Sequence, residues 1–136
     1  SEALTEIAVA IDTSGSVTDE QFHHFTSEVY GIMRQLKPTK MTVLQFDTQI
    51  KSVDEITTAN DLYNVKFTGR GGTNIEPVLD WANKNTPTVL LILTDGFFYP
   101  VEEAPKPPLV WVIHSNPKYQ SHYGKVIHYE FTGDNK

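Results

Sequence analysis

Two apolar runs, each closed by an aspartate, constrain this chain more than any other feature. Glu6 to Ile11 is mostly apolar and stops at Asp12, while Val89 to Leu93 is apolar throughout and stops at Thr94-Asp95-Gly96. A strand exposed on one side alternates polar with apolar, whereas an unbroken apolar run of this length is buried on both faces. Strands of that kind belong to a parallel sheet, so the two aspartates are expected at neighbouring strand ends.

The rest of the chain supplies what such a sheet needs. Between Thr18 and Leu36 the apolar residues Phe22, Phe25, Val29, Ile32, Met33 and Leu36 recur at the three-and-four spacing of an amphipathic helix. Thr18 and Gln21 form a capping-box pair, Asp19 and Glu20 suit the positive helix start, and Lys37-Pro38 supplies a stop. Met41 to Phe46 reads as a second strand. Ile50 to Ile56 follows after the short Asp47-Thr48-Gln49 link, which predicts a hairpin and an antiparallel edge strand. An irregular stretch then leads to Gly69-Arg70-Gly71-Gly72-Thr73-Asn74 and a second helix from about Ile75 to Asn85, with Pro77 tolerated in its first turn. Leu109 to Ile113 and Val126 to Tyr129 are short later strands.

The connections around those later strands are abbreviated. Pro100, Pro105, Pro107 and Pro108 limit the stretch from Gly96 to Pro108 to a helical turn at most, and Ser115 to Gly124 is equally short. The later strands should therefore be thinly covered on one face. The predicted fold class is α/β and Rossmann-like, with a mostly parallel central sheet, one antiparallel edge strand and a reduced helix complement after the fourth strand. No internal repeat or linker divides the chain, so residues 1–136 read as one domain with a core over about 6–131.

Composition excludes more than it specifies. The 136 residues suffice to bury roughly two thirds of the unfolded surface in one core. A net charge of −6 and a pI near 5.2 oppose nonspecific binding to nucleic acid or to an anionic membrane. With no cysteine, thiolate metal sites, disulfides and cysteine nucleophiles are excluded, which fits a reducing compartment and leads to a cytoplasmic expectation. No apolar run approaches the roughly 20 residues that span a bilayer, and no basic start followed by an apolar stretch marks a signal peptide. The opening Ser1-Glu2-Ala3 reads as that of a domain excised from a longer protein, expected to be monomeric in isolation.

In open parallel sheets ligands bind at the carboxyl ends of strands, where neighbouring connections leave in opposite directions. Asp12 and Asp95 face that crevice. Within Asp12-Thr13-Ser14-Gly15-Ser16 an extended loop turns the side chains at 12, 14 and 16 the same way, and Gly15 permits close backbone approach. Thr73 adds a hydroxyl from the glycine loop. All five donors are oxygens, the ligands of hard cations such as Mg²⁺, which binds at about 2.0–2.1 Å in near-octahedral geometry. With no histidine or cysteine among them, zinc fits poorly. Two aspartates neutralise a divalent ion without overcompensating it, so the ion could still attract a further carboxylate, and a partner protein is the obvious source.

This set resembles the metal-ion-dependent adhesion site of von Willebrand factor A (VWA) domains, whose pattern is Asp-x-Ser-x-Ser followed by a distant Thr and a distant Asp. The resemblance rests on Ile11-Asp12-Thr13-Ser14-Gly15-Ser16, Gly71-Gly72-Thr73 and Leu93-Thr94-Asp95-Gly96, matched at all five positions. With Leu109-Val110-Trp111-Val112-Ile113, it looks closest to the compact bacterial and phage VWA-like domains found C-terminal to metallopeptidase-like regions. The family implies Asp12, Ser14 and Ser16 as primary metal ligands, with Thr73 and Asp95 coordinating directly or through water. It implies Mg²⁺ or Mn²⁺ ahead of Ca²⁺, and binding to a protein partner that supplies an acidic residue rather than catalysis. The missing helices after Asp95 depart from the fuller fold and put long-range switching in question.

Other readings of these residues compete with that one. Aspartates at strand ends commonly cap or bond loops, and Thr73 to Glu76 could be a capping box. Ser14 interrupts any Asp-Thr-Gly protease motif, and the glycine loop lacks a phosphate-binding lysine. A metal-assisted hydrolase is the main alternative class, and a purely structural metal is another. Against hydrolysis, His23, His24, His114, His122 and His128 form no recognisable pairing with Ser14 or Ser16. Phe97, Phe98 and Tyr99 either plug the core or form an aromatic rim beside the metal, and Asp47 and Arg70 are further candidates to border the crevice.

Overall fold

The computed structural model describes residues 5–15, 17–68 and 71–130. It contains β1 (Glu6–Asp12), α1 (Asp19–Leu36), β2 (Lys40–Phe46), β3 (Ile50–Ile56), α2 (Ala59–Tyr63), α3 (Glu76–Asn85), β4 (Val89–Thr94), β5 (Leu109–His114) and β6 (Lys125–Tyr129). The six strands form one sheet in the order β3-β2-β1-β4-β5-β6. All neighbours are parallel except β2 and β3, which form the expected antiparallel hairpin at the edge.

The two apolar runs lie side by side, with Ile7 opposite Val89 and Ile11 opposite Leu93. Their residues divide by parity between two cores. Ile7, Val9, Ile11 and Leu93 pack with Phe22, Phe25 and Val29 of α1, while Ala8, Ala10, Leu90 and Ile92 pack with Val78, Leu79 and Ala82 of α3. With helices on opposite faces, the connections leave β1 and β4 in opposite directions, and the crevice opens at their carboxyl ends.

Helix α1 begins with the predicted capping box between Thr18 and Gln21. It ends at Lys37, a left-handed residue at φ 46° whose N–H returns to the carbonyl of Met33. Helix α2 corrects the sequence reading, which left that stretch irregular. Five residues cannot display a helical period, but Thr58 caps the Asp61 N–H while Asp61 accepts from Thr57 and Thr58. Those hydrogen bonds, led by the one from the Thr57 backbone, hold the Asp61 carboxyl below the usual carboxylate range.

The thin cover expected over the later strands is observed. On the α1 face Val112 is half-buried, and its register partner Ile127 is 43% exposed. On the opposite face two loops take over the work of a helix, laying Phe98, Tyr119 and Tyr123 against Trp111, which is 1% exposed. Among the described residues no helix is long and apolar enough to cross a membrane.

Candidate metal centre

The site is built where β1 and β4 end. Asp12 is 1% exposed, and each carboxylate oxygen has a donor: the Ser14 N–H reaches Oδ1 at 2.9 Å and the Thr94 hydroxyl reaches Oδ2 at 2.6 Å. The Ser14 side chain also hydrogen-bonds to Asp12. Burial pushes the Asp12 carboxyl above its ordinary pKa, the Thr94 and Ser14 hydrogen bonds oppose that shift, and the charge of Asp95 adds to it. Asp95 is half-buried just past the end of β4. Its Oδ1 accepts from the Phe97 N–H at 3.0 Å, and its backbone carbonyl accepts from the Asn116 side chain at 2.8 Å.

Three loops are stitched together beneath this pair. The Thr13 N–H and hydroxyl both donate to the Phe46 carbonyl, fixing the first loop to the end of β2. The Gly15 N–H donates to the Gly71 carbonyl at 2.9 Å, fixing it to the glycine loop. Asp47, 2% exposed, accepts from the N–H groups of Gly71 and Gln49, while its own carbonyl accepts from the Asn74 N–H at 2.8 Å. A Cβ on Gly71 would lie 3.3 Å from Asp47 Oδ2, tighter than ordinary contact, so the small residue suits this clamp. Gln45, fully buried, pins the preceding chain by donating to the Lys66 carbonyl and accepting from the Thr68 N–H.

Of the five expected ligands, Asp12, Ser14 and Asp95 come together at the crevice. Thr73 is half-buried on the glycine loop and does not cap α3, whose N-cap is Ile75 with no side-chain cap hydrogen bond; the Asn74 side chain just ahead accepts from the Glu76 N–H. Ser16 lies outside the described residues, as does Arg70. Asp47 proves to be the organiser of the glycine loop. Thr94 was missed as the partner of Asp12, although its strand parity with Asp12 on the α3 face was a usable signal. Among the described residues no group of three His, Cys, Asp or Glu side chains is placed to hold a metal, so any cation here relies on hydroxyls beside the two carboxylates.

Of Phe97, Phe98 and Tyr99, only Phe98 takes the packing role considered for them. Phe98 stacks on Trp111 at 5.7 Å, whereas Phe97 and Tyr99 are 65% and 93% exposed next to Asp95. His114 is buried against Phe25, with Nδ1 3.0 Å from the Ser115 hydroxyl, and His23, His122 and His128 are exposed.

Comparison with known proteins yields a family match and a set of shared folds. Residues 7–130 match the family described as VWA-like domain (DUF2201). An uncharacterized protein of Thermotoga maritima is 25% identical over 96 residues, covering 70% of this chain and 24% of that protein. The chain therefore spans about a quarter of the length of that relative. Among solved structures, a conserved hypothetical protein, BatB from Bacteroides thetaiotaomicron, superposes with a TM-score of 0.69 at 11% identity, over 96% of this chain and 93% of that one. The ArnB paralog VWA2 from Sulfolobus acidocaldarius gives 0.64 at 15% identity, over 96% of this chain and 42% of that one. An aerotolerance-related membrane protein from Bacteroides fragilis gives 0.62 at 12%, over 80% and 67%. At these identities the likeness is one of fold.

Proposed function

Because the chain belongs to the VWA-like domain family (DUF2201), we propose that it is a noncatalytic protein-binding module whose binding depends on a divalent metal, Mg²⁺ or Mn²⁺. The observation that carries this reading is the convergence of Asp12, Ser14 and Asp95 at the switch point between β1 and β4. A carboxylate whose charge is disfavoured by burial and by the neighbouring Asp95 is a natural place for a cation, since a divalent ion relieves both. The donor chemistry fits a hard cation. Asp12, Ser14, Ser16, Thr73 and Asp95 would hold it, and once bound it would supply positive charge for an acidic residue of a protein partner. Exposed Phe97 and Tyr99 beside Asp95 support a docking role, as aromatic side chains are enriched at interface hot spots.

We place the domain in the cytoplasm and in a longer protein, in keeping with its resemblance to domains that follow metallopeptidase-like regions.

Chelator-stripped protein titrated with Mg²⁺ or Mn²⁺ should show one saturable site by calorimetry. Unfolding free energy should rise by the mass-action amount, about 2.7 kcal/mol at a hundredfold excess over the dissociation constant, and Asp12→Ala should abolish that rise. Absence of binding at millimolar metal would overturn the reading. Thr73→Ala should leave the fold intact and weaken the partner more than the metal. Replacing the partner's acidic residue with its amide distinguishes a bridging ion from a structural one.

A further inference from the structure

The two abbreviated loops do more than cover β5. They enclose a cavity of about 320 Å³, lined chiefly by Gly96, Phe98, Glu102, Trp111, Tyr119 and Tyr123, a volume able to take one long side chain. Trp111 forms its floor, with Phe98 at 5.7 Å, Tyr119 edge-on at 5.7 Å and Tyr123 at 6.1 Å. The polar atoms of these rings are already engaged. The indole N–H donates to the Tyr123 carbonyl, the Tyr123 hydroxyl donates to the Val101 carbonyl at 2.6 Å, and the Tyr119 phenol bonds to Ser121. Burial pushes the Tyr119 phenol up to about 12, so its ring stays neutral. What remains for an occupant is aromatic surface, the Glu102 carboxylate and the side chains of Gln120 and His122, and no Lys or Arg is among the described lining residues.

We propose that this pocket receives a basic side chain, lysine or arginine, from the same partner that presents an acidic residue to the metal centre. Aromatic rings attract cations through their quadrupoles, the aliphatic stem of a basic residue suits apolar walls, and Glu102 pairs with the charged head. The domain's net charge of −6 favours the same sign of partner group.

The pocket and the metal centre are built on one loop. Gly96, at φ 78°, follows Asp95 directly, and a Cβ there would lie 2.4 Å from the Tyr119 ring. Only glycine lets Tyr119 rest on the loop that carries Asp95. Asn116 ties the two sides further by donating to the Asp95 carbonyl while its own carbonyl accepts from the Tyr119 N–H at 3.2 Å. With adjacent Cα atoms about 3.8 Å apart, the recognised segment carries its acidic and basic residues close together. This pairing rests on the proposed metal-dependent function, but the pocket itself is testable without metal.

The experiment is a titration of isotope-labelled protein in chelator with n-butylammonium chloride, at constant ionic strength, and in parallel with n-butanol. The Trp111 indole N–H and the Gly96 amide should shift saturably, the Trp81 indole should not, and the ammonium ion should bind about fivefold tighter than the alcohol. Glu102→Gln, an exposed and conservative change, should bring the ammonium affinity closer to that of the alcohol, with the remaining preference supplied by the rings. Equal affinity for both probes, an unchanged response in Glu102→Gln, or shifts that miss Trp111 would each overturn the proposal. Because no metal is present, such a failure leaves the calorimetric test of the metal centre standing, and a failure of that test leaves this one standing.

Discussion

The chain up to β4 and the chain after it solve the same problem with different chemistry. In the first part, α1 and α3 cover the sheet, and the loops at the strand ends are clamped by the buried carboxylates of Asp12 and Asp47. In the second part no helix follows among the described residues, and the loops are clamped by rings around Trp111. A carboxylate clamp is directional and leaves a charged, shaped crevice. An aromatic clamp excludes water over a wider area with fewer residues, and here it leaves an apolar pocket beside the crevice. Short connections thus become a means of placing two unlike surfaces next to each other.

The largest expected effect comes from removing the aromatic clamp. Trp111→Ala should cost about 3–5 kcal/mol in urea unfolding, because it empties the floor on which Phe98, Tyr119 and Tyr123 rest. A cost below about 1 kcal/mol would mean that the loops hold themselves in place. Breaking the carboxylate clamp should be milder. Asp47→Ala leaves the Gly71 and Gln49 N–H groups without their acceptor, for about 1–3 kcal/mol, and hydrogen exchange at the Gly71 amide should speed up while Trp111 stays protected.

Asp12 sharpens the comparison through pH. Its folded-state pKa is raised, so the metal-free protein binds this proton more tightly when folded. That contribution is fully present below the ordinary value near 3.8 and is lost as pH rises through the raised value. In chelator, Asp12→Asn should therefore melt higher than the parent at neutral pH and lose that part of the pH dependence, while no longer responding to Mg²⁺. If it melts lower, the carboxylate's hydrogen bonds outweigh its burial. The smallest effect is expected on the uncovered face, where Ile127→Ser should change stability by no more than about 0.5 kcal/mol. A larger loss would show that Ile127 belongs to the core.

Most of this contrast was legible in the sequence, for reasons that differ along the chain. Unbroken apolar runs fixed β1 and β4 to within a residue, because burial on both faces leaves no room for polar side chains. Helix α1 announced itself by period and cap. Helix α2 did not, since five residues carry no period, although Thr58-Ala59-Asn60-Asp61 lay open to a capping reading. At the site, strand-end aspartates were readable because topology alone brings them together. The partnership of Asp12 with Thr94 and the hold of Asp47 on the glycine loop depend on rotamers and loop paths, which residue spacing does not encode. Splitting Phe97-Phe98-Tyr99 into one packed ring and two exposed ones likewise required knowing where Trp111 stood.

The central strand pairing also sets a timetable. The hydroxyl that completes the hydrogen bonding of Asp12 lies 82 residues further along the chain, and β1 gains its partner β4 only when that distance has been closed. Contacts so remote in sequence form slowly, because the loop entropy is lost before the contacts are gained. During synthesis β1, α1 and the β2–β3 hairpin therefore emerge with one long apolar strand edge still vacant, a template for mispairing until β4 arrives. The crevice is among the last features to exist, so the binding proposed for it would have to await the completed sheet.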